Sequence, residues 1–297
     1  MPVGTFRQQN TIAKPAEVRG FGLFGGADVS MRFLPADADH GIAFLRTDVP
    51  DSSPIAATID NLEPSHRRTV IASDGVRIEM IEHVMAALAG LRIDNCLIEI
   101  DGPEVPGLDG SCQEICDAIL NAGIVAQDRP REAVSVRVIS HVKSDNCHAE
   151  IRIRPHVRRV EALTYHLDYG HRSPIPPQMF STELTPESFV RDIAFARTFV
   201  MESEVEALKA AGYGQRVTAQ NLLVFRDDGT IIDNQLRAPN ECVRHKILDC
   251  IGDFALLGCD IYGHFSAWRS GHALNHQAVS HLQGEVFDES GTRQCVA

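Results

Sequence analysis

A chain of 297 residues has room for one large domain or two ordinary ones, and 44% hydrophobic with 23% charged residues rules out disorder over its whole length. Its formal net charge of −12, with no basic stripe or tail, rules out a general nucleic-acid binder, because phosphate contacts need a basic surface. No stretch approaches the roughly 18 apolar residues of a membrane span, and the opening MPVGTFRQQN lacks a secretory apolar core, so a cytoplasmic protein is expected.

Val29 to Leu34 and Ile42 to Arg46 are predicted as strands. Residues 78–90, IEMIEHVMAALAG, place Ile78, Ile81, Met85 and Leu88 at helical spacing, with Gly90 as a C-terminal stop. Asn95 to Ile100 reads as a strand, and Asp101-Gly102 and Asp109-Gly110 mark turns. Residues 111–123 predict a second helix, with Ser111 as N-cap and Glu114 in the capping-box position. The polar QDRPRE at 127–132 reads as a linker, after which Val134 to Ile139 restarts the strand pattern. Residues 148–154 alternate strictly, as in a half-buried antiparallel strand. A proline-rich loop at 172–179 follows, then helices opening at Thr185-Pro186-Glu187 and over 202–211. Residues 241–258 carry the longest helix signal, and Ile261 to Trp268 a last strand. Each half thus runs strands, helix, strand, helix. The expectation is an α+β chain of two similarly built domains, 1–129 and 130–297, each a small sheet with helices. No GxGxxG follows the first strand, and the glycine-rich 101–111 lacks the lysine of a phosphate-binding loop. The eight cysteines, none in a CxxC, read as buried reduced thiols.

In the 241–258 helix, His245, Asp249 and Asp253 are spaced by four and line one side, drifting by about 40° per step. Ile247, Leu248, Ile251, Phe254 and Leu257 cover much of the rest, so the carboxylates are expected to be buried, and a buried carboxylate needs a cation or several donors. A metal site and an ordinary solvent-facing stripe are equally compatible with that spacing. Glu82-His83, among apolar residues of the earlier helix, offers a third ligand and a base, although such a glutamate is more often a plain surface residue. His272, after Gly271 at the end of a strand, is placed to face a cleft.

Taken together, IEHVMAALAGLRIDN at 81–95, EVPGLDGS at 104–111, ARTF at 196–199, CVRHKILDCIGD at 242–253 and SGHALN at 270–275 resemble the UDP-3-O-acyl-N-acetylglucosamine deacetylases, zinc enzymes of lipid A biosynthesis. Their order and spacing agree across nearly the whole chain. The resemblance implies two domains of shared topology with helices packed between two sheets. It also implies hydrolysis of the 2-acetamido group of a UDP-linked, 3-O-acylated N-acetylglucosamine. It places Zn2+ (or Fe2+, which accepts the same donors) on His83, His245 and Asp249. Glu82 becomes the general base, His272 the donor to oxyanion and leaving amine, and Asp253 the group that orients and charges His272. Lys246 and Thr198 fall near the substrate and the developing oxyanion, and Phe199 and Tyr169 on the nucleotide side.

The chain departs from this family at two places. Phe24 stands where the family's early GLH(S/T)G motif has histidine, and Arg216-Val217-Thr218 replaces a glycine-rich GGS. The resemblance puts both regions on the acyl passage, so Phe24, Arg216 and Val217 are expected to alter acyl preference; the alternative is that Arg216 points outward with its charge in water, leaving the passage intact. A monomer is expected. A zinc deacetylase for another acylated amino sugar and a non-enzymatic metal-binding relative are the alternative readings.

Overall fold

The computed structural model describes residues 7–145 and 148–286. Alternation builds the first sheet: strand Asp28–Pro35 turns Val29, Met31 and Phe33 inward and its other residues outward. Its companions are Ala16–Phe21, Ile42–Arg46, Ile55–Ala56 and Cys96–Ile100. The last of these in sequence lies between Asp28–Pro35 and Ile42–Arg46, antiparallel to the first and parallel to the second. Another sheet takes Ser140–Lys143, Glu150–Arg154, Glu161–Leu167, Gln178–Glu183 and Asp260–Trp268. There too the last strand lies between the second and third, antiparallel to one and parallel to the other. Ala133–Ser135 adds a short parallel pairing to the start of Asp260–Trp268.

Parallel neighbours need a crossover, and helices supply it. The helices are α1 (Glu82–Gly90), α2 (Gln113–Ala122), α3 (Pro186–Asp192), α4 (Glu202–Ala210), α5 (Glu241–Phe254) and α6 (His272–Val286). Helix α1 precedes the inserted strand of the first sheet and α5 that of the second. Both are apolar on most sides, so both are buried: eight of nine residues in α1 and twelve of fourteen in α5. They pack on each other, and Gly252 sets how closely. A Cβ at Gly252 would fall 2.0 Å from the Glu82 carbonyl oxygen, which no neighbour can yield because it is backbone. Gly252→Ala is therefore expected to cost about 2 kcal/mol or more of unfolding free energy, at the upper side of overpacking effects. Urea denaturation checks this, and an unchanged midpoint would mean that the helices separate at no cost.

The structure corrects several sequence expectations. Residues 78–79 are not helical: Val76–Glu79 is a strand, paired antiparallel with Val70–Ser73, and α1 begins only at Glu82. Asp74 and Gly75, both at positive φ, make the tight connection, a hairpin signal that the helical spacing masked. The expected linker is partly a strand, Ile124–Pro130, paired with Gln8–Ile12, because a polar segment can serve where both faces stay largely exposed. The strand expected at 134–139 ends at Ser135, leaving Val138 and Ile139 exposed. The Ser111 capping box does not form; the Ser111 hydroxyl donates to Asp109 instead. At 185–188 a capping box does form, between Thr185 and Ser188. Helix α5 ends at Phe254 and passes through a tight turn, Ala255–Leu257, to left-handed Gly258. Cys96, Cys112, Cys116, Cys242, Cys250 and Cys259 are buried, as expected; Cys147 and Cys295 lie outside the described residues.

Candidate metal centre

The α1–α5 contact brings together what the sequence keeps 160 or so residues apart. His83 Nε2 lies 3.8 Å and His245 Nε2 3.4 Å from Asp249 Oδ1, and all three side chains are buried. The two rings stand nearly perpendicular, at 85°, with centroids 5.1 Å apart. Burial, with His245 nearby, pulls His83 down to about 3, and burial also lowers His245, so both rings are neutral near pH 7. The Nδ1 of His245 sits 3.1 Å from the Ala196 carbonyl oxygen, which can only accept, so its proton is there and Nε2 presents a lone pair. The His245 lone pair and the neutral His83 ring thus converge on the Asp249 carboxylate. That arrangement fits a divalent cation, and two His with one Asp is a donor set of zinc-type sites with an open position.

Lys246 Nζ holds the other Asp249 oxygen at 2.5 Å. Burial would raise the Asp249 carboxyl, but positive charge nearby, Lys246 foremost and charged His272 beyond it, outweighs burial and holds it below the usual range. Beside this trio, Glu82 is buried; its Oε2 accepts from the Thr69 backbone N–H at 2.9 Å, and Oε1 faces His272 Nε2 at 3.8 Å. Burial raises Glu82 to about 7, partly opposed by His272. His272 opens α6, and its Nδ1 meets Asp253 Oδ2 at 2.9 Å. Burial lowers His272, but Asp253 and then Glu82 prevail and lift it to about 9, so the ring is charged at neutral pH.

The catalytic and metal candidates converge here: Glu82, His83, Thr198, His245, Lys246, Asp249 and His272 line one cavity of about 1360 Å³. Asp253 stands behind His272. The Thr198-Phe199 segment is held by Arg197, a buried guanidinium hydrogen-bonded to Glu241 at the start of α5, to Asn234 and to the Gln235 carbonyl. Phe199 places its ring 6.1 Å from that of His245 and 6.2 Å from that of Tyr169, which also lines the cavity. Phe24 and Val217 line the cavity as well, Phe24 edge-on to Tyr213 at 5.4 Å and under the Arg68 guanidinium at 4.3 Å. Arg216 does not join them. Its guanidinium bonds the Gly26 carbonyl and Asp28 and lies over Phe21, since an outward turn keeps its charge in water and on a carboxylate. Sequence reasoning missed Thr69, Asn275 and His276, all within hydrogen-bond reach of Asp253. His276 had a signal, four residues after His272 on the same helix; Thr69 had none.

A buried His2Asp cluster open to a cavity, with a carboxylate on one side and a charged imidazole on the other, defines a metal-dependent amidohydrolase. The comparisons with known proteins agree. The family model described as LpxC, UDP-3-O-acyl N-acetylglycosamine deacetylase, matches residues 9–284. Proteins named UDP-3-O-acyl-N-acetylglucosamine deacetylase from Brucella melitensis biotype 2, Brucella ovis and Brucella abortus are each 38% identical over 276 residues. The alignments cover 92% of this chain and 94% of each relative. The chain belongs to the UDP-3-O-acyl-N-acetylglucosamine deacetylase family.

Proposed function

We propose that the protein removes the N-acetyl group from UDP-3-O-(3-hydroxyacyl)-N-acetylglucosamine, releasing acetate, in lipid A biosynthesis. The observation that carries this is the convergence of His83, His245, Asp249, Glu82 and His272 on one large cavity, in a chain similar to named deacetylases over 92% of its length.

His83, His245 and Asp249 would hold a zinc ion, or iron(II). Bound there, the ion supplies Lewis acidity toward the amide carbonyl and toward water. Glu82 takes a proton from the attacking water; its burial leaves it basic enough to accept one near neutral pH. Water oxygen adds to the carbonyl carbon, and the oxygen that gains charge is met by the Thr198 hydroxyl and by charged His272. An amine leaves poorly without a proton, so His272 delivers one to nitrogen as the C–N bond breaks, giving acetate and the free amine. Asp253 keeps His272 charged for that step, and Lys246 supports Asp249 from the side away from the histidines. Phe199 and Tyr169 are assigned to the nucleotide side, and Phe24 and Val217 to the acyl side. The Arg216 contacts argue for a bracing role rather than one against the acyl chain.

The chain is further read as two domains, 1–129 and 130–297, with helices between their sheets, supported by the matching strand order of the two sheets and the α1–α5 contact. A cytoplasmic monomer is the proposed form. Among the described residues no helix is long and apolar enough to cross a membrane.

The test is acetate release by metal-quantified protein from UDP-N-acetylglucosamine and from its 3-O-acylated forms of C4 to C16. Strong preference for acylated substrate is expected, with a narrow length optimum, because each buried methylene is worth about 0.8 kcal/mol. Phe24→His and Val217→Gly are expected to move that optimum and Arg216→Gly to leave it in place. Equal turnover of the non-acylated sugar would assign the site to another acetamido sugar.

A further inference from the structure

Asp253 is fully buried and its two oxygens are divided between two sets of partners. Oδ2 meets His272 Nδ1 at 2.9 Å and accepts from Asn275 Nδ2 at 2.8 Å. Oδ1 accepts the Thr69 hydroxyl proton at 2.6 Å and lies 3.2 Å from His276 Nε2. The Thr69 hydroxyl oxygen, its own proton committed to Asp253, is 3.4 Å from His272 Nδ1 and 3.0 Å from the same His276 nitrogen. Both neighbours of that nitrogen are therefore acceptors, so His276 Nε2 carries a proton and shares it between them. Helix α6 makes this possible: residues 272 and 276 are one turn apart, with ring centroids 6.2 Å apart and planes inclined by 32°. One carboxylate thus serves two imidazoles, and only one of them lies across from Glu82.

We propose that His276, with Thr69, is a positioning residue that sets the acidity of His272 by competing for Asp253. Donors to Oδ1 draw off part of the carboxylate's charge and fix its rotation, so that Oδ2 faces His272 but binds its proton less tightly than an unshared carboxylate would. The charged and titratable groups facing His272 are Asp253 and, at longer range, Asp249 from α5, Glu82 from α1, and His276 from α6 itself. The first three all hold the proton on the ring, and His272 already stands at about 9. A still higher value would make it a poorer proton donor to the leaving amine, so donors on the far side of Asp253 favour turnover.

The proposal rests, through His272, on the hydrolase reading, but its main readout does not need turnover. In the metal-loaded full-length protein, the His272 ring is followed by NMR titration, its signals assigned by their loss in His272→Ala. His276→Phe keeps a ring and removes the donor, and should raise the His272 titration by roughly half a unit to one unit. Thr69→Val removes the other donor at constant size and leaves the backbone N–H that holds Glu82, but it also removes the oxygen 3.4 Å from His272 Nδ1, so its shift should be smaller than that of His276→Phe. His276→Gln restores an N–H at similar reach and should return the titration toward the wild-type value. In turnover, His276→Phe should move the alkaline limb of kcat upward and lower kcat about threefold, with KM and metal content unchanged. A His272 titration at the wild-type value in His276→Phe would overturn the proposal. A shift in His276→Gln as large as in His276→Phe would also overturn it, assigning the effect to packing. Absence of acetate release by the wild type would count against the hydrolase reading alone.

Discussion

Glu82→Gln is expected to lower kcat by about 10²–10⁴-fold while the metal stays bound. Glutamine keeps the size of the side chain and can still accept the Thr69 N–H through its carbonyl oxygen, so the 2.9 Å contact and the start of α1 survive. What goes is the acceptor for the water proton. The two carboxylates nearest it are already engaged: Asp249 by Lys246, and Asp253 by Thr69, His272, Asn275 and His276. KM should change little, because the lost interaction belongs to the transition state. Wild-type kcat in a metal-replete Glu82→Gln protein would remove Glu82 from the mechanism.

Replacing any one of His83, His245 and Asp249 is expected to weaken metal binding by about 10²-fold or more, beyond what loss of an outer-shell partner costs. Elemental analysis should find about one zinc or iron per chain in the wild type and a small fraction of that in each variant. Asp249 calls for Asn rather than Ala, because Lys246 would otherwise be left buried with no partner, at a cost of about 3–5 kcal/mol in folding. Asparagine retains an oxygen for Lys246 while weakening the donor to the metal. Near-full metal content in His83→Ala, His245→Ala and Asp249→Asn together would sink the ligand assignment. Elemental analysis after purification without air, which keeps iron(II) from oxidising, distinguishes iron from zinc, a choice that the His2Asp donor set leaves open.

The elements easiest to see in the sequence were those whose periodicity is repeated by burial. Ile42–Arg46 was placed to the residue, and α5 to within four residues at its end, because its apolar cover continues into the turn at Ala255–Leu257. Misreadings arose where two patterns overlap. Ile78 and Ile81 are three apart, as in a helix, yet Ile78 faces Ile71 across a hairpin and Ile81 is the N-cap residue just before α1. The strands-helix-strand-helix order implies a helix after the last strand but does not locate α6, because its polar and apolar residues mix and His272 reads as the end of the preceding strand rather than the start of a helix.

The sequence by itself determined the chemistry available: a His-x-x-x-Asp-x-x-x-Asp stripe on an apolar helix, a Glu-His pair on another, and motifs whose order and spacing identify the family. These are local properties, fixed by a period of 3.6 residues and by which side chains can bind a metal or a proton. Only the tertiary structure decided which oxygen of Asp253 serves His272, that Thr69 and His276 share the other, and that Arg216 turns away from the cavity toward Asp28. Each depends on segments far apart in the chain meeting at angles set by close packing, such as Gly252 against the Glu82 carbonyl, and no local pattern encodes an angle between two helices.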